Sequence, residues 1–359
     1  MGVRTTRRPN RVRQTDVAKA AGVSQATVSM VLSDAPIPNG RVSERTRAQV
    51  LRTADDLGYA VDPVARNLVG GRNRLIGVHT FESVFPIESR DFYQDLLIGI
   101  QHAAEVSDYD LLIFTSATAP GRNRGIYSGP MNRLALADGG ILLGRHSNVD
   151  EVRRLSADHF PFVYVGRRDI AHTRLSYVTA DYRSATRAVV DHLIRLGHQR
   201  IGYLGLAHPD EPDQDRAAGW YDRAAVLTDA CEIRPPEVTA ELLQQLRHDR
   251  GITAVVVENA ESADRVFAAA AQAGIAVPAE LSIAVLGDLP VRSMQHRVWT
   301  GFTTPRQQMG REAVRMLLQQ LDGDGSQPPD DAPRSHYVAC GFEAGHTCGP
   351  VSRNDRSLR

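Results

Sequence analysis

The chain shows two patterns of hydrophobic and polar positions, and the pattern changes near Leu75. Before this point, apolar residues recur at helical spacing in short segments. After it, apolar runs of about six residues alternate with amphipathic stretches. The first part therefore predicts short helices, and the second predicts strands that alternate with helices. Such alternation is typical of parallel sheets covered by helices on both faces.

The stretch TDVAKAAGVSQATVSMVLSD, which begins at Thr15, predicts two short helices joined by a turn. Thr15 is the expected cap of the first helix, Gly22 permits the turn, and Ser24 is the expected cap of the second. The second helix has an apolar side and a side of polar and small residues. Two helices of this kind form a helix-turn-helix, whose second helix fits the major groove of DNA.

A third short helix is predicted to begin after its cap, Ser43, and to stop at Gly58. Its expected buried side chains are Val50, Leu51, Ala54 and Leu57. Three helices with facing apolar sides predict a small packed unit at the start of the chain.

The second part of the chain predicts seven strands, at 75–81, 109–114, 139–144, 160–166, 200–206, 252–258 and 281–287. Helices are predicted at 93–107, 183–196, 217–230, 262–273 and 309–321. So many strand and helix units indicate two sheets rather than one. The length of 359 residues agrees, because it exceeds the size at which a single core stops growing.

Charge is unevenly distributed, although the formal net charge of the chain is zero. Residues 1–72 carry 12 Arg and Lys against 6 Asp and Glu, a net charge of +6, and the rest carries −6. Local positive charge favours contact with nucleic acid, because phosphates are neutralised locally. A solvated basic arm would explain Arg4 to Arg13 alone, but not the helices that follow.

Several classes of protein find no support in the sequence. No apolar run approaches the roughly 20 residues of a membrane span, and no apolar segment of a signal peptide follows the first arginines, so a cytoplasmic location is expected. The three cysteines form no CxxC pair and are expected to be reduced. Phosphate-loop, GxSxG and HExxH motifs are absent, and the acidic loop 208–215 is expected to be solvated. No enzyme, cofactor or metal site is therefore predicted.

Three segments, TDVAKAAGVSQATVSMVLSD, RVSERTRAQVLRTADDLGY and VARNL, resemble the headpiece of the lactose/galactose repressor family (LacI/GalR) of bacterial transcription regulators in their order and spacing. The remainder, above all YVTADYRSATRAVVDHLIRLGHQRIGYLG, resembles the effector domain of that family. The implied fold is multidomain, with an all-α helix-turn-helix headpiece and an α/β two-lobed periplasmic-binding-protein-like effector domain. The implied domains are a headpiece at 1–61, a hinge helix and linker at 62–74, an effector-binding and dimerisation domain at 75–349, and a disordered tail at 350–359.

The resemblance implies two kinds of DNA contact in the second helix. Gln25, Ala26 and Met30 match positions that read base edges in the major groove. The positions near phosphates are Ser24, Thr27 and Ser29. Gln25 is the strongest candidate for a hydrogen-bonded base contact, since Ala26 and Met30 offer only apolar contact. Packing within the headpiece is the alternative role for Met30.

The segment that begins at Asp62 predicts a helix that needs a partner. Asp62 and Pro63 favour a helix start, Gly70 and the next glycine end it, and about seven residues are too few for a helix that is stable alone. In the resembling family this hinge helix folds on operator DNA beside its copy from the second subunit. Leu68 matches the leucine that wedges into the minor groove, and Ala65 matches the close helix–helix contact. An ordinary linker is the alternative.

The resemblance also implies a small-molecule site between two lobes, with chain crossings expected near 168–178, 288–301 and 327–336. Arg216 matches the effector-binding arginine of the family, and Asn259 matches a polar ligand contact. Asp288 lies in the family's Asp-Asp segment, where Gly287 takes the first place. Further candidates from the first lobe are Phe81, Asp91, Phe92 and Arg167. The alternative role for Arg216 is a surface ion pair with Asp213 or Asp215.

These features predict a homodimeric transcription regulator that binds a pseudo-palindromic operator in double-stranded DNA and responds to a small-molecule effector. Arginine, aspartate and an aromatic ring suit the hydroxyl groups of a sugar or sugar derivative, although a nucleoside or an acidic metabolite would fit the same groups. The alternatives are a DNA-binding regulator controlled by a partner protein and a solute-binding module without regulation. The sequence leaves the choice between inducer and corepressor open.

Overall fold

The structure of the protein, a computed structural model, describes residues 12–32, 42–59, 72–82, 90–115, 124–144, 147–206, 209–233, 238–287, 298–322 and 334–352. The chain divides into two compact units, Met1–Leu75 and Ile76–Arg359. Several predictions fall outside the described residues. They concern the hinge helix with Ala65 and Leu68, Asp288, the tail from 353 onward, and the side chains of Asp91 and Phe92.

The first unit contains three described helices, α1 (Gln14–Ala21), α2 (Gln25–Leu32) and α3 (Glu44–Asp56). Val17, Val28 and Val50 come from one helix each, are fully buried, and form the centre of a small apolar core. The side-chain NH₂ of Gln49 in α3 donates to the carbonyl oxygen of Ala21, 3.0 Å away, and so satisfies the end of α1. Apolar packing and this hydrogen bond together hold α3 against α1 and α2.

The predicted caps of α2 and α3 are confirmed, whereas that of α1 is wrong. Ser24 and Ser43 each accept the backbone N–H three residues later, at 3.1 and 3.2 Å. Helix α1 begins one residue before Thr15, and the carboxylate of Asp16 accepts the N–H of Arg13 at 2.8 Å. An acidic side chain in the first turn therefore satisfies this helix start in place of the threonine hydroxyl.

Two leucines of α3 do not take the buried positions expected for them. Leu51 is 44% exposed and Leu57 is 38% exposed, while Val50 and Ala54 are buried. Val50 and Ala54 are four residues apart and share one face of the helix, whereas Leu51 is turned about 100° from Val50. The buried stripe of α3 is thus narrower than the sequence pattern suggests.

The second unit consists of two lobes, each built around a sheet of six strands within the described residues. The strands of lobe 1 are β1 (Leu75–Thr80), β2 (Asp110–Phe114), β5 (Gly139–Leu143), β6 (Phe162–Val165), β7 (Tyr177–Ala180) and β13 (Ser335–Val338), with a separate hairpin of β3 (Tyr127–Ser128) and β4 (Met131–Asn132). Its helices are α4 (Arg90–Val106), a 3₁₀ helix (Arg133–Leu136), α5 (Val149–Ala157) and α10 (Arg306–Asp322).

The strands of lobe 2 are β8 (Arg200–Leu204), β9 (Asp229–Ile233), β10 (Ala254–Val257), β11 (Ser282–Val285), β12 (Thr300–Thr303) and β14 (Gly341–Glu343). Its helices are α6 (Tyr182–Arg195), α7 (Glu211–Ala224), α8 (Ala240–Arg250) and α9 (Ala260–Gln272). None of the helices in the described parts of the chain is both long and apolar enough to cross a membrane.

Both sheets follow the parallel arrangement that the sequence predicts. The strand order is β13-β7-β6-β5-β1-β2 in lobe 1 and β14-β12-β11-β10-β8-β9 in lobe 2. The pairings β1–β5, β5–β6, β6–β7 and β7–β13 are parallel, and in lobe 2 only β12–β14 is antiparallel among the described pairs. The predicted α/β two-lobed fold is confirmed.

The chain crosses between the lobes three times, as expected, but each crossing lies later than predicted. The crossings are at Asp181 between β7 and α6, at 304–305 between β12 and α10, and at 339–340 between β13 and β14. Strands β7, β12 and β13 complete their sheets before the chain leaves each lobe. They lack the continuous apolar sequence that marks central strands such as β6 and β10.

The acidic loop expected at 208–215 is partly helical. Helix α7 begins at Glu211 with Pro212 in its first turn, and it ends at Ala224 rather than at 230. Acidic residues and proline favour the first turn of a helix, because they complement the helix dipole and need no backbone donor there. The predicted helix 217–230 is therefore displaced toward the N-terminus, and β9 begins at Asp229.

Candidate functional site

Helix α2 presents an accessible polar face. Its inward side chains, Val28 and Val31, are buried in the core of the first unit. The six residues predicted to contact DNA lie on the remaining surface: Ser24, Gln25 and Ala26 are exposed, and Thr27, Ser29 and Met30 are half-buried. The Ser24 hydroxyl caps α2 and lies 2.9 Å from the Thr27 hydroxyl. The apolar core thus holds α2 while its outer side chains remain accessible.

A cavity of about 380 Å³ lies between the two lobes of the second unit. Lobe 1 contributes Gly144, Val165 and Arg168 among others, and the residues from lobe 2 include Asp213, Arg216, Glu258 and Asn259. This volume is within the range of small-molecule sites in proteins. A ligand in the cavity would therefore contact both lobes.

The sheet of lobe 2 brings several chain segments to one edge of the cavity. Leu204 at the end of β8 is paired with Val257 of β10, which in turn is paired with Val285 of β11. Because parallel strands end at the same edge, the residues that follow them, such as Glu258 and Gly287, meet there. Both of these residues line the cavity.

Arg216 of α7 lies inside the cleft, with only 12% of its side chain exposed. Its Nη1 donates to Asp213 Oδ1 at 2.7 Å and lies 3.8 Å from Glu258 Oε2. The guanidinium carbon is 4.2 Å from the centre of the Tyr182 ring. A guanidinium held by a carboxylate and an aromatic face has a fixed orientation. The pair with Asp213 that the sequence placed on the surface is therefore part of the cleft itself.

Glu258, which sequence reasoning missed, directly follows β10 and is 3% exposed. The Tyr203 hydroxyl donates to Glu258 Oε1, and the Tyr203 ring is stacked on the buried Trp220, with ring centres 5.3 Å apart. Burial raises the pKa of Glu258 to about 7, although Arg216 and the hydrogen bond from Tyr203 act in the opposite direction. The sequence feature that could have identified Glu258 is its position as a charged residue at the end of the apolar run ITAVVVE.

The other residues predicted to bind an effector have different positions. Asn259 lines the cavity, and its Oδ1 accepts the N–H of Ser262 at 2.8 Å as the cap of α9, so its NH₂ group is the part left for a ligand. Phe81 is not among the described residues that line the cavity, and its ring packs edge-on against His79, with centroids 4.8 Å apart. Arg167 is also not among them.

Arg167 instead joins the two lobes beside the cavity. It follows β6 in lobe 1, and its Nη2 and Nε donate to the two carboxylate oxygens of Asp215 in α7, at 3.0 and 3.2 Å. The backbone N–H of Asp169 donates to Glu211 Oε1 at 3.1 Å, and Arg168 Nη1 lies 3.5 Å from Glu211 Oε2. These contacts connect the end of a lobe 1 strand to the first two turns of a lobe 2 helix.

Comparison with known families assigns both units. Residues 15–62 match the family described as bacterial regulatory proteins, lacI family, and residues 190–339 match a periplasmic binding protein-like domain. Together the two matches cover more than half of the chain. They contain, respectively, the helix-turn-helix and the lobe 2 residues of the cleft.

Curated proteins that match this chain along almost their whole length are regulators of transcription. The HTH-type transcriptional regulator CelR of Thermobifida fusca is 26% identical over 327 residues, which span 87% of this chain and 92% of CelR. The HTH-type transcriptional regulator MalR of Streptomyces coelicolor is 29% identical over 348 residues, which span 91% and 93% of the two chains.

Solved structures show the same fold. A lac repressor dimer bound to operator and an anti-inducer has a TM-score of 0.63 at 22% identity, covering 94% of this chain and 99% of that one. A CelR–cellobiose complex has a TM-score of 0.57 at 20% identity, covering 94% and 100%. The family matches and the full-length relatives confirm the resemblance carried by the headpiece segments. The chain therefore belongs to the lacI family of bacterial regulatory proteins (LacI/GalR) and is a DNA-binding transcriptional regulator.

Proposed function

We propose that this regulator binds a pseudo-palindromic operator as a homodimer and that a small carbohydrate in the cleft controls its operator affinity. The observation that carries the proposal is the group of Arg216, Asp213 and Glu258 beside the Tyr182 ring, in a cavity lined by both lobes. Carboxylates accept hydrogen bonds from sugar hydroxyls, and a guanidinium donates to hydroxyl oxygens. The cellobiose bound in the CelR structure supports this ligand class.

The cleft offers a physical route from ligand to DNA affinity. A ligand that contacts both lobes has a different affinity for each arrangement of the lobes, and it shifts the equilibrium by that difference. Arg216 and Asn259 of lobe 2 lie across the cavity from Arg168 of lobe 1. An effector bound among them would select the lobe arrangement in which all these contacts form.

The DNA-binding role falls to the outer face of α2. Gln25 offers an amide that pairs in two hydrogen bonds with the major-groove edge of adenine, while Ala26 and Met30 offer apolar contact to a thymine methyl. Ser24, Thr27 and Ser29 offer hydroxyl groups for phosphate oxygens. Two copies of α2 in a dimer would reach successive major grooves of the operator, about one helical turn apart.

Fluorescence anisotropy with the full-length protein tests the proposal. A palindromic fragment selected from random DNA serves as the operator, and D-glucose, cellobiose, maltose and adenosine are added in turn. We expect one sugar to change operator affinity about tenfold, a coupling of about 1.4 kcal/mol. Tight, salt-sensitive DNA binding that no compound alters would contradict carbohydrate control and would favour regulation by a partner protein.

A further inference from the structure

One carboxylate oxygen in the cleft has no hydrogen-bond partner among the residues that the structure describes. The side chain of Glu258 is 1% exposed and lines the cavity. Its Oε1 accepts a hydrogen bond from the hydroxyl of Tyr203, whereas its Oε2 accepts none from any described residue. A buried acceptor without a partner costs free energy, so groups of this kind in native proteins call for an explanation. Because Glu258 borders an open cavity, a ligand is the natural source of the missing donor.

The neighbouring residues hold Glu258 in place without satisfying this oxygen. Tyr203 is fixed by stacking on Trp220 and so fixes the first carboxylate oxygen. Arg216 Nη1 is 3.8 Å from Oε2, beyond hydrogen-bond distance, and donates to Asp213 instead. Arg216 thus supplies positive charge to Glu258 but no hydrogen bond.

Gly287 lines the same part of the cavity as Glu258 and Arg216. A Cβ atom at Gly287 would lie 3.5 Å from both Arg216 Nη2 and the backbone oxygen of Glu258. Those distances are ordinary van der Waals contacts, so it is the φ angle of 146° that favours glycine at this position. The backbone conformation at Gly287 therefore leaves no side chain on this position of the cavity lining, next to Arg216 and the backbone of Glu258.

We propose that Glu258 is a specificity-determining residue whose Oε2 accepts a hydrogen bond from a hydroxyl or ammonium group of the effector, so that the cleft prefers neutral and amino sugars to acidic sugars and releases a proton on binding. The inference rests on the proposed carbohydrate function and extends it. A carboxylate accepts hydrogen bonds best when ionised, and an anionic ligand at the same place would meet like charge.

The proton release follows from the groups that face Glu258. Tyr203 faces it from β8, and Asp213 and Arg216 face it from α7. Among the described residues, the other charged side chains that line the cavity are Arg168, Asp210, Glu261 and Arg306. Burial, reinforced by Asp213, outweighs Arg216 and raises the pKa of the empty site to about 7. A donor from the effector stabilises the ionised form and lowers this pKa, so a proton leaves when the effector binds near neutral pH.

The direction of the pH dependence is therefore fixed. Between pH 6 and pH 8 the ionised fraction of a group with a pKa of about 7 rises from about one tenth to about nine tenths. Effector affinity should rise about tenfold over the same range, because only the ionised form accepts the hydrogen bond. An effector that instead accepted a hydrogen bond from the protonated carboxyl group of Glu258 would bind more weakly as pH rises.

Isothermal titration calorimetry on the full-length protein tests the inference. The ligands are D-glucose, cellobiose, glucosamine and glucuronate, each at pH 6, 7 and 8, in two buffers with different ionisation enthalpies. We expect the tightest ligand to be neutral or an amino sugar. A neutral ligand should gain about tenfold in affinity from pH 6 to pH 8 and release about half a proton at pH 7. Glu258→Gln should bind it at least about tenfold more weakly at pH 8, without proton release.

Glu232→Gln is the matched control. Glu232 also accepts a tyrosine hydroxyl, that of Tyr221 at 2.5 Å, but on the exposed surface of the same lobe. This variant should keep the wild-type affinity and its slope with pH. Equal slopes in wild type and Glu258→Gln, or tightest binding of glucuronate, overturn the role of Glu258 and leave the carbohydrate effector standing. Binding of no sugar by the wild type overturns the proposed function itself.

Discussion

Arg216 illustrates how much of the cleft depends on the shape of one side chain. Its guanidinium bonds to Asp213, faces Glu258 and lies against the Tyr182 ring at the same time. An ammonium group would keep the positive charge but lose the planar fork and the stacked face. We expect Arg216→Lys to weaken binding of the sugar found by calorimetry by about tenfold or more, with unchanged operator affinity in its absence.

The choice of lysine in this test has a physical reason. Removal of the positive charge would leave Asp213 and Glu258 buried without a counter-charge and would lower folding stability by about 3–5 kcal/mol. A loss of sugar binding in such a variant could then result from unfolding. Arg183→Lys is the control, since Arg183 forms a forked pair with Asp222, through two hydrogen bonds, on the surface of the same lobe. Equal sugar affinity in wild type and Arg216→Lys would remove Arg216 from the effector site.

Gln25 allows a residue-scale test of the DNA-binding face. Its side chain is exposed on α2, and alanine favours a helix, so Gln25→Ala should leave the first unit folded. Loss of a paired amide contact to a base should cost about 1–3 kcal/mol in operator binding and nothing in binding to random DNA. Anisotropy titrations against both DNAs measure this difference. Parallel losses on the two DNAs would show that Gln25 contacts the backbone instead.

The sequence predicted the position of some cleft residues, while their role in effector binding stays a prediction. Arg216 and Asn259 were predicted for the cleft and line its cavity. Glu258 was not, because its burial and its tyrosine partner come from β8, more than fifty residues away in the chain. Phe81 was predicted to face the ligand, but the pattern of one strand does not tell which neighbour its ring will meet.

At the scale of elements, helices α4 and α10 of lobe 1 cross with almost no space between them. A Cβ atom at Gly99 of α4 would collide with the backbone of Gln307, and one at Gly310 of α10 would lie 2.5 Å from the carbonyl oxygen of Leu96. Both helices were predicted from their apolar periodicity, within a few residues of their observed ends. Their contact was not, since a helical pattern identifies a buried face but not the helix that covers it.

This crossing predicts a large effect from a small change. Gly99→Ala improves helix propensity by up to about 1 kcal/mol, yet it forces the helices apart and should destabilise lobe 1 by about 1–3 kcal/mol overall. Thermal unfolding followed by circular dichroism measures the change. Gln101→Ala, on the exposed side of α4, loses only a hydrogen bond to Glu105 and should change stability by less than about 0.5 kcal/mol. An unchanged Tm in Gly99→Ala would mean that the two backbones separate freely.

Strand prediction failed mainly for elements that depend on their neighbours. Central strands such as β10 are apolar at every position and were predicted, because they are covered on both faces. Strand β13 lies at the edge of the lobe 1 sheet, and most of its residues are exposed or half-buried. It forms because the backbone of β7 is available for hydrogen bonds on that side. The sequence of β13 does not show that β7 is available as a partner. For this reason the crossings between the lobes were predicted too early in the chain.

At the scale of the effector domain, the two lobes are joined by three crossing segments and by the contacts of Arg167 and Glu211. The crossings are covalent and persist in any arrangement of the lobes. The side-chain contacts form only when β6 and α7 are close. A change in these side-chain contacts should therefore change the equilibrium between lobe arrangements, and with it the affinity for the effector.

Asp215→Asn tests this coupling. The amide keeps the shape of the carboxylate but loses its charge, so the pair with Arg167 should weaken by about 1 kcal/mol, a value discounted for partial exposure. Because the proposed effector binds between the lobes, its affinity should fall about fivefold through the cost of holding them together. The difference from wild type should shrink in 1 M salt, which screens the pair. Calorimetry at low and high salt measures both effects.

Asp222→Asn provides the comparison for this test, because it removes the same charge from a pair with Arg183 that lies entirely within lobe 2. It should leave effector affinity unchanged at both salt concentrations, since neither partner crosses the cleft. If the two variants lost affinity equally, general electrostatics of lobe 2 would explain the effect. A loss confined to Asp215→Asn and sensitive to salt would instead identify the Arg167–Asp215 pair as a contact that contributes to effector binding by holding the lobes together.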